Sequence, residues 1–251
     1  MKIDYRPEID GLRAIAVISV ILYHAQITLF GHEIFQGGFI GVDIFFVISG
    51  YLISSIILKE LKLTGSFSFK SFYERRARRI LPVLLFVMIV SLPFGWIFLD
   101  PSRLTDFLNS IFYSLTFISN FYFHFSSLQY GAIDGLFEPF LHTWSLSVEE
   151  QFYIIFPIII TLVYKYQKRY LGTYLIIAFL ISFAFADWSS RRYISISFYS
   201  IHTRFWEILI GVILAYYETK YGRKIRHNLL NSVLVLFGLI FVLSSIFIFN
   251  N

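Results

Sequence analysis

Apolar residues run through this chain in long, nearly unbroken stretches, not in the strict alternation of a half-buried strand. Seven stretches approach the roughly 20 residues that a helix needs to cross a bilayer. They are 12–30, 38–58, 80–99, 145–164, 171–188, 203–218 and 229–249. An eighth, 107–125, is weaker because it carries Asn109, Ser110, Ser114, Ser119, Asn120 and His124. The pattern predicts an all-α fold, a polytopic transmembrane helical bundle of seven to eight spans. A membrane β-barrel would instead show alternating segments of about ten residues. The first stretch follows Lys2, Arg6 and Arg13 as a signal peptide would. No small-residue cleavage site follows it, so it reads as an uncleaved first helix. With no internal repeat and no low-complexity linker, one domain is expected.

Composition agrees. Apolar residues make up 57% of the 251 positions and charged residues 15%. A soluble domain carries about 25% charged residues, so 16 acidic and 21 basic side chains are too few to coat a water-soluble fold of this size. Cysteine is absent, which excludes disulfides, thiolate metal sites and a cysteine acyl-enzyme. The net charge of +5 does not call for a nucleic acid, because cytoplasmic loops of membrane proteins are rich in Lys and Arg. If 107–125 crosses fully and the N-terminus is inside, 13 basic residues fall inside and 8 outside. If 107–125 dips in and returns, or lies at the outer surface, 17 fall inside and only Arg103, Arg191, Arg192 and Arg204 outside. The seven-span arrangement is preferred.

Ionisable groups inside a membrane are costly and mark function by default. His24 lies eleven residues after Arg13. On a helix that is three turns plus about 20°, so both project from one face, roughly 16 Å apart along the axis. Asp10 is placed to pair with Arg13. A polar stripe from the cytosolic edge to mid-membrane and a plain buried histidine satisfied by a carbonyl are about equally good accounts. Gly37-Gly38-Phe39-Ile40-Gly41-Val42-Asp43 through Ser49-Gly50 suits close helix packing or close approach to a ligand, and packing is the plainer account. Four arginines in Glu74-Arg75-Arg76-Ala77-Arg78-Arg79 suit an anionic lipid surface. Arg76 and Arg79 share a face that also suits a phosphate clamp.

The least ordinary feature is His142-Thr143-Trp144-Ser145-Leu146-Ser147-Val148-Glu149-Glu150-Gln151-Phe152-Tyr153. It puts two adjacent carboxylates about one turn into an apolar helix. Ser145, Glu149 and Tyr153 follow at intervals of four and line one face. Trp144 has the plainer reading of an interfacial belt residue. Arg204 and Glu207 form an i,i+3 pair at a helix start. No G-x-S-x-G, H-E-x-x-H or P-loop is present, and the H-x4-D box has its nearest approach in His202 and Glu207.

Four stretches in order resemble the membrane-bound acyltransferase family 3, the O-acyltransferases that decorate bacterial cell-surface sugars. They are Asp10-Gly11-Leu12-Arg13 with His24, Phe45-Phe46-Val47-Ile48-Ser49-Gly50, Arg76-x-x-Arg79-Ile80-Leu81-Pro82, and Trp144 through Tyr153. Arg204 through Gly211 resembles the subgroup that often carries an extracytoplasmic SGNH domain. The resemblance implies an inner-membrane enzyme with a cytoplasmic N-terminus. It would take an acyl group, usually acetyl, from cytosolic acyl-CoA and pass it to a hydroxyl of a surface or lipid-linked saccharide. By the same resemblance Arg13 and His24 serve donor use and transfer, and Arg76 and Arg79 contact the CoA phosphates. Glu149 belongs to the catalytic cavity, and Asp43, His142, Trp144 and Ser145 line the acceptor side. Acyl-CoA is then a donor substrate rather than a resident cofactor, no metal is required, and an SGNH-type domain or partner is implied. The family core has about ten helices, so the chain reads as a core cut short by two or three. Two alternatives are a transporter with His24 and Glu149 on a solute path, and an inactive fragment of the acyltransferase.

Overall fold

The computed structural model describes residues 6–30, 32–128, 138–222 and 229–249. The chain forms α1 (Pro7–His24), a short antiparallel hairpin of β1 (Thr28–Leu29) and β2 (His32–Glu33), and a 3₁₀ turn at Gln36–Phe39. It continues through α2 (Ile40–Thr64), α3 (Phe69–Phe98), α4 (Pro101–Leu115) and α5 (Ser119–Ser126). After these come α6 (Thr143–Gln167), α7 (Leu171–Ser190), α8 (Ile194–Tyr199), α9 (Ile201–Tyr221) and α10 (Leu229–Ile248). Four stretches of the described residues are helical, long and apolar enough to cross a membrane: Gln36–Thr64, Phe69–Phe98, Thr143–Ser190 and Ile194–Tyr221. The third spans 48 residues and holds both α6 and α7, separated by a 3₁₀ turn at Lys168–Tyr170. The α1 helix stands apart because its first seven positions already carry Glu8, Asp10 and Arg13.

The described chain divides into two compact units, Met1–Lys59 with Glu207–Asn251, and Glu60–Trp206. In the first, glycines set the helix spacing. A Cβ on Gly38 would overlap the Ser19 carbonyl, and one on Gly41 the Ala16 carbonyl, so α1 lies backbone to backbone against the start of α2. A Cβ on Gly50 would likewise strike the Ile208 carbonyl, and one on Gly211 the Val47 carbonyl. The glycine stretch thus serves packing, as its composition suggests, but against α9 and α10 as well as α1: Gly37 abuts the Ser245 carbonyl. Ile9, Ile48, Tyr51 and Ala215 fill the space between. The Arg6 guanidinium donates to the Tyr51 hydroxyl and to Glu218 Oε2 at 3.3 Å, and Tyr51 donates to the same carboxylate at 2.5 Å. Gly50→Val is expected to cost about 1–3 kcal/mol by overpacking and lower the melting temperature in detergent. Gly11→Ala, where a Cβ meets nothing within 4 Å, is expected to leave it unchanged or raised.

In the second unit, Asp100 caps α4 by accepting from the backbone N–H groups of Ser102 and Arg103 at 3.0 and 3.1 Å. The Arg103 N–H in particular holds the exposed Asp100 carboxyl below its usual range. The apolar run 107–125 is not one helix. It breaks where Phe117 takes φ 55°, leaving α4 with 15 residues and α5 with 8, neither long enough to cross. Ser110, Ser114, Ser119, Asn120 and His124 are buried against protein. Ser114 meets Thr143 at 2.6 Å, Thr143 donates to Ser119 at 3.0 Å, and Ser119 meets Ser147 at 2.8 Å. Gln151 Nε2 donates to the Phe117 carbonyl at the break (2.9 Å) and to Asn120 Oδ1 (2.8 Å). Irregular backbone at membrane depth survives only where protein or a wet cavity satisfies it, and here α6 supplies the partners. The run 107–125 therefore does not form one continuous membrane-crossing helix.

Candidate functional site

In the first unit, α1 is helical from Pro7, whose fixed φ suits a first helical position, through His24. Arg13 and His24 thus keep the shared face their spacing predicts. His24 is not mid-helix, however. The helix starts earlier than the apolar run and ends at His24, because Gln26 turns the chain at φ 48°. Arg13 Nη1 donates to Asp10 Oδ1 at 3.0 Å, as expected, with both groups partly exposed. His24 is exposed, and its Nδ1 lies 2.8 Å from the Val20 carbonyl. A carbonyl only accepts, so Nδ1 carries a proton, and in the neutral ring the lone pair lies on Nε2. The edge of Tyr23 holds the ring, with centroids 5.1 Å apart. Asp43 falls in the first turn of α2, half-buried, beside Gly41 where α1 packs.

In the second unit, α3 carries Arg76 and Arg79, whose surroundings differ. Arg78 is tied to Glu74 at 2.6 Å and Arg79 is exposed. Arg76 is half-buried, its guanidinium 4.4 Å from the Tyr153 ring centre and 6.0 Å from that of Phe72. Tyr153 is fixed in turn: its hydroxyl donates to Glu149 Oε2 at 2.8 Å, the i,i+4 contact the spacing predicts. Ser145 does not join that pair through its hydroxyl, which donates to the His142 carbonyl at 3.1 Å. His142 itself is exposed beside the first residue of α6. Trp144 is buried rather than set in an interfacial belt. It packs on Phe198 at 4.6 Å and Tyr199 at 5.7 Å, with the Arg204 guanidinium over both Trp144 and Phe198.

Sequence reasoning chose Glu149 and passed over Glu150. It is Glu150 that is buried, at 8% exposure, with Oε1 lacking a hydrogen-bond partner and with Arg76 as the cation whose field reaches it. Helical phase alone could have raised the point, since adjacent residues sit 100° apart and need not share an environment. The Arg6–Tyr51–Glu218 cluster was also missed, since its members are 45 and 212 positions apart in sequence from Arg6.

Comparison with known proteins now decides the family. The acyltransferase domain model of family 3 matches residues 6–251. The chain belongs to acyltransferase family 3. It is 37% identical over 219 residues to the peptidoglycan O-acetyltransferase OatA of Listeria monocytogenes, covering 84% of this chain and 34% of that protein. To the O-acetyltransferase OatA of Staphylococcus aureus it is 36% identical over 229 residues, covering 88% and 36%. No solved structure matches the chain. The chain spans about a third of the length of the curated relatives it matches. Within family 3 the motif residues retain one assignment by position and gain a second from their surroundings. Arg13, His24 and Asp43 belong to the unit built on α1, while Arg76, Arg79, His142, Trp144, Ser145 and Glu149 belong to the unit built on α3 and α6.

Proposed function

We propose that this acyltransferase moves an acetyl group from cytosolic acyl-CoA to a hydroxyl of a cell-surface or lipid-linked saccharide. The observation that carries the reading is the ring of His24. With Nδ1 held by the Val20 carbonyl, Nε2 is the basic nitrogen, ready to take the proton of an attacking hydroxyl. A thioester needs no metal for that attack. Arg13 steadies the donor, and Arg76 and Arg79 hold the CoA phosphates through charge-assisted hydrogen bonds. Tyr153 and Glu149 keep Arg76 in place. Asp43, His142, Trp144 and Ser145 serve the acceptor. That the relatives bear O-acetyltransferase names supports the choice of acetyl.

The membrane arrangement belongs to the same proposal: an inner-membrane protein with its N-terminus in the cytoplasm and 107–125 returning to the outer face. The chain has no cysteine, so one placed at the exposed Leu128 is a clean reporter. It is expected to react with an impermeant maleimide added outside the cell; reaction only after the cytosol is opened would refute this topology. The activity is tested by surface-polysaccharide O-acetylation in cells carrying wild-type protein, His24→Ala or Arg13→Ala. Wild-type acetylation in both variants would overturn the reading.

A further inference from the structure

The loss of helix at Phe117 has a second effect. It turns α5 so that its C-terminal end meets the start of α8, and Asn120 Nδ2 locks the two by donating to the Tyr199 carbonyl at 3.1 Å. At that contact His124 Nδ1 lies 2.8 Å from Ser195 Oγ, and Ser127 Oγ lies 3.0 Å from the same oxygen. His124 is 9% exposed, while Ser195 is open to one side. None of these three residues has a part in the donor or acceptor roles described above.

The protons can be counted. Ser127 has one hydroxyl proton, and it is spent on the His124 carbonyl at 2.8 Å, so its oxygen can only accept from Ser195. The Ser195 proton therefore has two destinations, Ser127 Oγ or His124 Nδ1. The first is a plain structural tie. The second places a hydroxyl on the lone pair of a histidine, the arrangement in which a serine becomes a nucleophile. Burial pushes the His124 imidazole below its ordinary value, which keeps it neutral near pH 7 and available as a base.

We propose that Ser195 and His124 form a nucleophile–base pair that accepts acyl groups from activated esters and thioesters. Ser195 Oγ attacks the acyl carbonyl carbon. The new O–C bond forms as the donor C–S or C–O bond breaks, and the Ser195 proton passes through His124 Nδ1 to the departing sulfur or oxygen. In the return half, an alcohol acceptor outside the His24 transfer attacks the Ser195 ester, and the bond from Ser195 Oγ to the acyl carbon breaks. The alcohol's proton passes through His124 back to Ser195 Oγ, and nothing is oxidised or reduced. Neither half draws on the acyl-transfer reading above.

The test uses the full chain in detergent with p-nitrophenyl acetate as the probe, the modified residue being found by peptide mass spectrometry. Wild type is expected to carry one acetyl group on Ser195, and His124→Gln to acquire it at least about 100-fold more slowly, the usual scale for loss of a general base. Acetyl groups confined to other residues, or labelling of Ser195 in His124→Gln at the wild-type rate, would overturn the proposal. Since His124 also ties α5 to α8, a second measurement avoids its removal. Ser195→Cys is expected to react with iodoacetamide at least about tenfold faster than Leu128→Cys, because a neighbouring base raises the thiolate fraction; equal rates also count against the pair. Labelled Ser195 in a protein with no acetyl-CoA-dependent O-acetylation would refute the proposed function and leave the pair standing.

Discussion

His24→Ala is expected to lower acetyl transfer from acetyl-CoA by roughly 10²–10⁴-fold, the range spanned by loss of a positioned general base, or about 3–5 kcal/mol of barrier. Stability is expected to stay near wild type. His24 is exposed and is the last residue of α1, so its removal opens no cavity, and alanine is the best helix former. The ring makes one hydrogen bond, to the Val20 carbonyl of its own helix, and that carbonyl lies in the last turn, where water can replace the partner. Activity and melting temperature should therefore separate. The measurement is an initial rate of saccharide acetylation beside a thermal melt of the same preparation. A fall in both together would make His24 a packing residue, and an unchanged rate would remove it from the chemistry.

The second large effect is a contrast between two arginines that the sequence treats as equals. Arg76→Ala and Arg79→Ala are each expected to raise the KM for acetyl-CoA by about 10–100-fold, since a charge-assisted hydrogen bond contributes roughly 1.5–3 kcal/mol and each 1.4 kcal/mol is tenfold. Only Arg76→Ala is expected to destabilise the fold as well. Glu150 is buried with one carboxylate oxygen unpartnered, and Arg76 is the cation acting on it. Removing Arg76 takes away a nearby cation and the guanidinium's packing on the Tyr153 and Phe72 rings, at a cost of about 1–2 kcal/mol. Arg79 is exposed, and exposed charges contribute little to stability. Equal melting temperatures for the two variants would show that Glu150 does not depend on Arg76. In that event Arg76→Ala with Glu150→Gln should lose no more affinity than Arg76→Ala alone.

Much of the architecture was legible because the solvent imposes it. An apolar run of some 20 residues has to hide its backbone polar groups within itself, and a helix is the only local way to do so. Hence the expected runs at 145–164, 171–188 and 203–218 return as α6, α7 and α9 within a few residues. Local spacing carried the Asp10–Arg13 and Glu149–Tyr153 contacts, because residues three or four apart on a helix are neighbours whatever surrounds them. The motif order carried the family.

What the sequence by itself determined, then, was which stretches are helical, which side chains share a helical face, and the acyltransferase ancestry. The tertiary structure decided the rest, because burial and partnership depend on elements distant in the chain. It broke 107–125 at Phe117, where Gln151 of α6 could satisfy the freed carbonyl. Trp144 was drawn inward by Phe198 and Tyr199, rings more than 50 positions away that no periodicity could link to it. Of two adjacent glutamates, Glu149 kept intermediate exposure with its carboxylate on the Tyr153 hydroxyl and Glu150 was buried, because residues 100° apart on a helix meet different neighbours.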